Sequence, residues 1–380
     1  MPLILASALF AGCKKDLDPG VVTPPGGQPG QIVIDWNKAA DSSSKNLVSK
    51  FWNPSGNYFN EKNGNTNFHY WPQAHALDVL IDAYLRTGDN QYKTLMDQWF
   101  TGVNQKNGNT FLNEFYDDME WNALAMLRAF KATGDQKYKN AVDAVWTDIK
   151  GGWNNTMGGG IAWRKAMPYY KNTPANAPAA ILAARLYREF NNADDLAWAK
   201  KIYSWQKETL YNKNTGWVYD GINSDNDGKR NEAWKFTYNQ GTFIGAAIEL
   251  FKITNESGYM NDALQAANFT LSDNTLTNFT DNLLRDEGDG DGGLFKGVFV
   301  RYFTQLILTD GILSSDRNRY LNYLKHNATT LWNIGTDKNY LLYGSYWKNK
   351  PGATTDLTIQ LSGAMLIEAA ALLKKEGYLQ

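Results

Sequence analysis

The residues best suited to chemistry lie in one short run, Phe115-Tyr116-Asp117-Asp118-Met119-Glu120-Trp121-Asn122, at the entry to an apolar segment. Two adjacent carboxyls between aromatic rings are costly if both are ionised and dry, because like charges raise one pKa and leave the other low. A pair split in this way suits acid/base work on a glycosidic bond. Retention needs the two carboxyls roughly 5–5.5 Å apart and inversion roughly 6.5–9.5 Å. Side chains diverging at a helix start can meet the shorter range. A plainer reading stays open, since Asp117 with Glu120 three positions on has the spacing of a helix capping box.

Other residues could hold a sugar around that pair. Trp71, Tyr116, Trp121 and Tyr238 offer flat rings with an apolar face and a polar edge, although each also suits a core. Asn172 and Asn176 are four apart, on one face if helical. Asn239 and Gln240 directly precede an apolar run, where amides can bind hydroxyls or cap a helix. Asp220 adds a carboxyl within Trp217-Val218-Tyr219-Asp220-Gly221. Lys296 and Arg301, five apart, could orient hydroxyls or a carboxylate, or lie on a solvated surface. Asn223, Asp225, Asp227 and Gly228, and again Glu287, Asp289, Asp291 and Gly292, match the first half of a calcium loop. The twelfth positions are Trp234 and Val298 instead of the bidentate glutamate, so both read as solvated turns and no metal is expected. With no phosphate loop and no dinucleotide fingerprint, no cofactor is expected either.

Composition narrows the ligand. The chain has 14 Trp, 21 Tyr and 17 Phe among 380 residues, with only 20 % charged. Many rings and few charges suit sugars, or a large helical core. The 38 basic and 39 acidic residues balance, so there is no electrostatic footprint for nucleic acid. One cysteine excludes an intrachain disulfide framework and a Cys-rich zinc site, and three histidines without an HExxH pair argue against a His-built metal site.

The elements that must position these residues are helical. Residues 1–12 read as a signal peptide, with an apolar run too short to span a bilayer. Leu9-Phe10-Ala11-Gly12-Cys13 resembles a bacterial lipobox, which makes Cys13 a lipidation site. Lys14-Lys15-Asp16 resembles the export tag of surface lipoproteins in the Bacteroidetes. Residues 13–31, rich in Pro and Gly, read as a tether. The expected location is the outer membrane or cell surface, with membrane contact only through a lipid anchor and no later segment apolar enough to cross. Residues 32–380 read as one domain. Apolar helices recur near residues 74, 120, 178, 241, 299 and 358, and each of the first five is followed by a more polar, amphipathic one. Two of the pairs carry the same joint, Thr87-Gly88-Asp89 and Thr133-Gly134-Asp135, where Gly ends one helix and Asp caps the next. A further helix near 36–51 precedes the set. Six apolar helices covered by six amphipathic ones predict an all-α (α/α)6 barrel, closed by the first helix against the last; an open solenoid is the competitor.

The run from Tyr116 to Ala125 resembles the paired-aspartate motif of glycoside hydrolase family 76, the endo-α-1,6-mannanases. Similar in order and spacing are Tyr70-Trp71-Pro72-Gln73-Ala74-His75, Gly159-Gly160-Ile161-Ala162-Trp163-Arg164, and Tyr170-Lys171-Asn172-Thr173-Pro174-Ala175-Asn176. Further on come Thr237-Tyr238-Asn239-Gln240-Gly241 and Phe295-Lys296-Gly297-Val298-Phe299-Val300-Arg301-Tyr302. The resemblance implies an (α/α)6 barrel and a monomeric, retaining endo-hydrolase of α-1,6-linked mannose chains. It makes Asp117 the nucleophile and Asp118 the general acid/base. Whether hydrolysis or transglycosylation dominates is not fixed by the motif. Two other functions compete: a non-catalytic glycan-binding lipoprotein of a polysaccharide-uptake system, and another (α/α)6 enzyme such as an unsaturated-uronide hydrolase. The last would need a basic cleft, for which only Arg164, Lys296 and Arg301 are at hand.

Overall fold

The computed structural model describes Val21–Val22 and residues 33–380. The signal peptide and Cys13 lie outside the described residues. Val21–Val22 pairs antiparallel with Val33–Ile34. Twelve α-helices follow among the described residues: α1 (Trp36–Phe51), α2 (Tyr70–Thr87), α3 (Asn90–Lys106), α4 (Tyr116–Thr133), α5 (Gln136–Gly151) and α6 (Ala177–Phe190), then α7 (Ala193–Thr209), α8 (Thr237–Thr254), α9 (Ser257–Ser272), α10 (Gly292–Ile307), α11 (Ser314–Thr330) and α12 (Leu357–Lys375).

The inner helices α2, α4, α6, α8, α10 and α12 touch in that order, and α12 returns to α2, so the ring is closed. The others cover it from outside, with α1 packed on α12 as the closing piece. Burial separates the two sets. α5 buries only the stripe Tyr138, Val142, Val145, Trp146 and Ile149, at helical spacing. α8 is buried without a break from Asn239 to Leu250. At Gly241 a Cβ would lie 2.5 Å from the Phe299 Cα, so glycine lets α8 meet the backbone of α10. α12 is long and apolar enough to cross a membrane by composition, contrary to the expectation that no later segment is. Yet 89 % of its most apolar window is buried inside the protein, and barrel packing accounts for it.

The joints between inner and outer helices show why both ends of the barrel differ. Gly88 is left-handed (φ 71°), and Asp89 caps α3 by accepting from Gln91 N at 2.8 Å. Gly134 (φ 73°) and Asp135 repeat this before α5. The same two-residue joint occurs twice more without glycine, at Asn191-Asn192 (Asn191 φ 56°) and Asn255-Glu256 (Asn255 φ 57°). Asparagine tolerates the left-handed conformation, which conceals these joints from a glycine-keyed reading. The return connections are long: residues 52–69, 107–115, 152–176, 210–236, 273–291 and 331–356. All lead into the starts of inner helices and so gather at one end, where loops can carry a site on a rigid frame.

Buried polar side chains near those starts hold the loops. Gln73 exchanges two hydrogen bonds with the Phe59 backbone, 2.9 and 2.8 Å. Asn176 does the same with Ile161, 2.8 and 2.9 Å. Gln240 accepts from Val218 N, and Gln360 from Tyr343 N. The Lys296 ammonium donates to Ser345 O at 2.7 Å. Five of the six inner helices therefore use one device, a buried side chain that satisfies loop backbone groups water cannot reach.

The opposite end is closed by charge. Arg128 on α4 bridges Asp78 and Asp82 on α2, and Arg301 on α10 bonds Asp82 at 2.9 Å. Arg185 and Arg188 share Glu249, and Arg86 pairs with Glu368.

Candidate active site

α4 starts where two mouth loops meet. Phe115, in extended conformation, bridges to Arg164, and Tyr116 N donates to Trp163 O at 3.0 Å. The Asp pair thus occupies the first turn of α4, where unpaired N–H groups and the helix dipole favour negative charge. The capping-box alternative fails here: the capping position is Phe115, which offers no side-chain bond. Glu120 is fully buried, and burial with the nearby charge of Asp117 pushes its carboxyl well above the usual range, which favours its protonated form.

The two aspartates have different surroundings. Asp117 Oδ1 accepts from Asp118 N at 3.0 Å and Oδ2 from the Trp163 indole N–H at 3.1 Å. Burial pushes its carboxyl up to about 7, and these donors hold it from going further. The Asp118 carboxyl accepts no hydrogen bond among the described residues. Burial first, then the charges of Asp117 and Asp291, push it well above the ordinary carboxylate range. The donors on Asp117 favour its ionised form and Asp118 has none, so within the coupled pair the geometry favours the proton on Asp118.

Around them opens a cleft of about 680 Å³. Of the residues singled out in the sequence, Trp71, Asp117, Asp118, Trp121, Asn172, Asp220 and Tyr238 line it. A two-residue strand pair, Lys171–Asn172 with Gly221–Ile222, ties two mouth loops together and brings Asn172 and Asp220 to the same wall. Asp220 accepts from Tyr170 OH (3.1 Å), Asn239 Nδ2 (3.0 Å) and Tyr238 OH (3.3 Å). Burial raises its carboxyl and the three donors hold it down. Asn239 thus positions Asp220 from behind the wall. The Tyr238 ring stacks on Phe295 with centroids 3.9 Å apart and planes at 6°. The Trp71 indole N–H is fixed by Asp291 Oδ1 at 2.7 Å.

Five candidates serve elsewhere, and Asn239 acts only through Asp220. Arg301 belongs to the ion network at the far end of the barrel, because its place on α10 is two turns down from the mouth. Lys296, Gln240 and Asn176 are wholly buried loop anchors, and their polar atoms face backbone instead of the cleft. Tyr116 is also turned into the wall, packed against Gly152. In their place the structure brings residues to which the sequence assigns no sugar contact: Trp163, Tyr170, Asp291 and Phe295, with Phe115, Trp234 and Phe236. Trp163 and Tyr170 stand inside segments whose order and spacing match the family pattern, and Asp291 in a loop with half of a calcium-loop spacing. Only the tertiary contact with Asp117, Asp220 or Trp71 gives each of them a role. His75 lies under Trp71 and Trp121, with centroids 5.5 and 5.3 Å away. Burial pushes its imidazole down to about 4, so it is neutral near pH 7.

The family model described as glycosyl hydrolase family 76 matches residues 35–380. The fold is similar to the GH76A alpha-1,6-mannanase from Salegentibacter sp. HEL1_6, at 44 % identity and TM-score 0.86, covering 89 % of this chain and 100 % of that one. An inactive variant of that enzyme, with two aspartates replaced by asparagine, is solved in complex with alpha-1,6-mannotriose, and this chain matches it at 43 % identity, TM-score 0.86, over 89 % of this chain and all of that one. Among curated proteins, the mannan endo-1,6-alpha-mannosidase DCW1 of Saccharomyces cerevisiae is 24 % identical over 46 % of this chain and 40 % of its own length. The matched part spans less than half the length of the first such relatives.

Proposed function

The chain belongs to glycoside hydrolase family 76, and from that premise we propose that it cleaves α-1,6-mannosidic bonds inside mannan chains, with retention of configuration. The observation that carries this is the Asp117–Asp118 pair at the cleft floor, one carboxyl supported by donors and the other without them. Supporting the substrate class, the cleft lining holds five aspartates and many rings but no lysine or arginine among the described residues. That suits a neutral glycan and disfavours the uronide alternative, since Arg301 and Lys296 are elsewhere and Arg164 lies over the Phe115 and Trp163 rings. The complex of the inactive Salegentibacter variant with alpha-1,6-mannotriose supports the same substrate class.

In this mechanism the Asp117 carboxylate attacks the anomeric carbon while Asp118 gives its proton to the departing sugar oxygen. The glycosyl–Asp117 ester is then opened by a water whose proton Asp118 takes up. The donors on Asp117 keep a nucleophilic lone pair aimed and ionised. Trp163→Phe removes one of them, and a hydrogen bond to a charged group is worth about 1.5–3 kcal/mol. The expected result is a fall in kcat/KM of about tenfold to a hundredfold. Loss of a donor that favours the ionised form also raises the pKa of Asp117, so the acid limb of the pH–rate profile moves to higher pH. A fall in rate with an unmoved limb would assign the indole to packing alone.

The deciding experiment is a product profile on unbranched α-1,6-mannan, with the anomer of the first product read by NMR. A ladder of short oligosaccharides with the α configuration supports the proposal; a β product refutes retention. Retention of the glycan on an affinity gel with no products supports a binding lipoprotein instead. A lipid anchor at Cys13, holding the protein at the outer membrane or cell surface, belongs to the same proposal. Cys13→Ala should then release the protein from the membrane fraction, and unchanged membrane association counts against the anchor.

A further inference from the structure

Trp234 is the large exposed ring of the cleft wall, with 47 % of its surface open. Its neighbours in the cleft are pinned: Trp71 by Asp291, Trp163 by Asp117, Tyr238 by Phe295. Trp234 has no hydrogen bond and no ring partner among the described residues. The backbone that carries it is nevertheless held, three residues before it by Asn231 N donating to Gly221 O at 2.9 Å and directly after it by further bonds. Arg285 donates to Lys235 O at 3.0 Å, the Lys235 ammonium pairs with Asp273 at 2.7 Å, and Thr237 N donates to Glu287 at 2.9 Å. An apolar face shown to water from a fixed backbone is a preorganised platform, which costs little ordering when a ligand lands on it.

The residues beside it show where such a ligand would go. Along 233–236 the chain alternates. Trp234 and Phe236 line the cleft, and Ala233 and Lys235 line a second hollow of about 740 Å³. The two hollows are neighbours across this strip. The second is walled by Asn274, Thr275, Asn278, Asp286 and Tyr346, a set of amides, hydroxyls and one carboxylate. Its cations are already engaged, Lys235 with Asp273 and Arg285 with a backbone carbonyl. The hollow therefore offers hydrogen bonds to neutral hydroxyls and no free positive charge for an anion.

We propose that Trp234 is a stacking platform for a mannose unit remote from the bond being cut, and that the hollow behind it receives the next unit of the same chain. The assignment rests on the mannan-cleaving reading above and adds to it a preference for long chains. The ring face takes the C–H side of the pyranose, and the hollow takes the hydroxyls.

The test measures binding to the Asp117→Asn/Asp118→Asn double variant by calorimetry, using linear α-1,6-mannotriose and α-1,6-mannohexaose, with and without Trp234→Ala. Mannohexaose is expected to bind more tightly than mannotriose. Trp234→Ala should shrink that advantage about tenfold, which corresponds to about 1.4 kcal/mol. Trp234→Phe, which keeps a flat ring, should restore most of it. Asn278→Ala should lower the advantage as well, through the hollow. An advantage that survives Trp234→Ala intact, or equal weakening of both sugars, overturns the proposal. If mannohexaose binds as expected but the unsubstituted protein releases no products, the hydrolase reading fails while the platform stands. No binding of either sugar overturns both.

Discussion

On the proposed mechanism, replacing Asp117 or Asp118 by asparagine is expected to abolish turnover of α-1,6-mannan, by at least about a thousandfold, and to leave the fold and glycan binding in place. The two variants should fail for different reasons. Asparagine at 117 keeps the acceptor for the Asp118 N–H but has no carboxylate to form the glycosyl ester. Asparagine at 118 keeps the nucleophile but has no proton to give. A substrate with an activated leaving group needs no such proton, so it should recover the first step in Asp118→Asn and not in Asp117→Asn. The same division predicts the pH profile. Asp117 must be ionised, so activity rises as pH rises through its value of about 7. Asp118 must be protonated, so activity falls at higher pH, as its own more strongly raised carboxyl loses the proton. The two limbs belong to the pair as a unit. Retained turnover in both variants would refute the assignment of the pair. Recovery in Asp117→Asn instead of Asp118→Asn would exchange their roles.

The largest effect on stability is expected far from the cleft. Arg128 joins Asp78 and Asp82 across the bottom of the ring, and Arg301 completes the set. Burial by itself would raise both carboxyls, but the guanidiniums outweigh it and hold them below the ordinary range. Arg128→Leu leaves the buried Asp78 and the part-buried Asp82 sharing Arg301, and breaking a buried pair in this way costs about 3–5 kcal/mol. The cost should show as a lower denaturant midpoint at neutral pH. Its sign with pH follows from the lowered carboxyls. The stabilisation they give is present above their unfolded pKa of about 3.9 and is lost as pH falls through their folded values. The gap between variant and parent should therefore close in acid. A gap that stays constant with pH would mean that the lost guanidinium mattered through packing and not charge.

Much of the architecture was legible in the sequence because it follows from local chemistry. The alternation of apolar and amphipathic helices is written in burial period. Gly88-Asp89 and Gly134-Asp135 mark joints through a left-handed residue and a cap. The Asp117–Asp118 pair stands out because like charges side by side among rings are expensive. The equivalent joints at Asn191 and Asn255 were less visible, since asparagine signals a left-handed turn more weakly than glycine does. The surroundings of the pair were legible only in part: Trp71, Trp121, Asn172, Asp220 and Tyr238 have residue types that suit a sugar and do line the cleft. Trp163 comes 45 residues after Asp118 and reaches Asp117 only because two loops cross at the start of α4. Asn176, Gln240 and Lys296 have the residue types of sugar ligands, and nothing local reveals that they face loop backbone. Arg301 lies near the others in its motif, but two helical turns carry it to the opposite end of the barrel. The sequence by itself determined the helix pairs, their number and the adjacent aspartates at a helix start, since each depends on neighbours within a few residues. Which polar groups face the cleft was decided by tertiary structure. A helix start offers one set of side chains to the cleft and another to the backbone behind it, and only closure of the ring and docking of the loops separates the two.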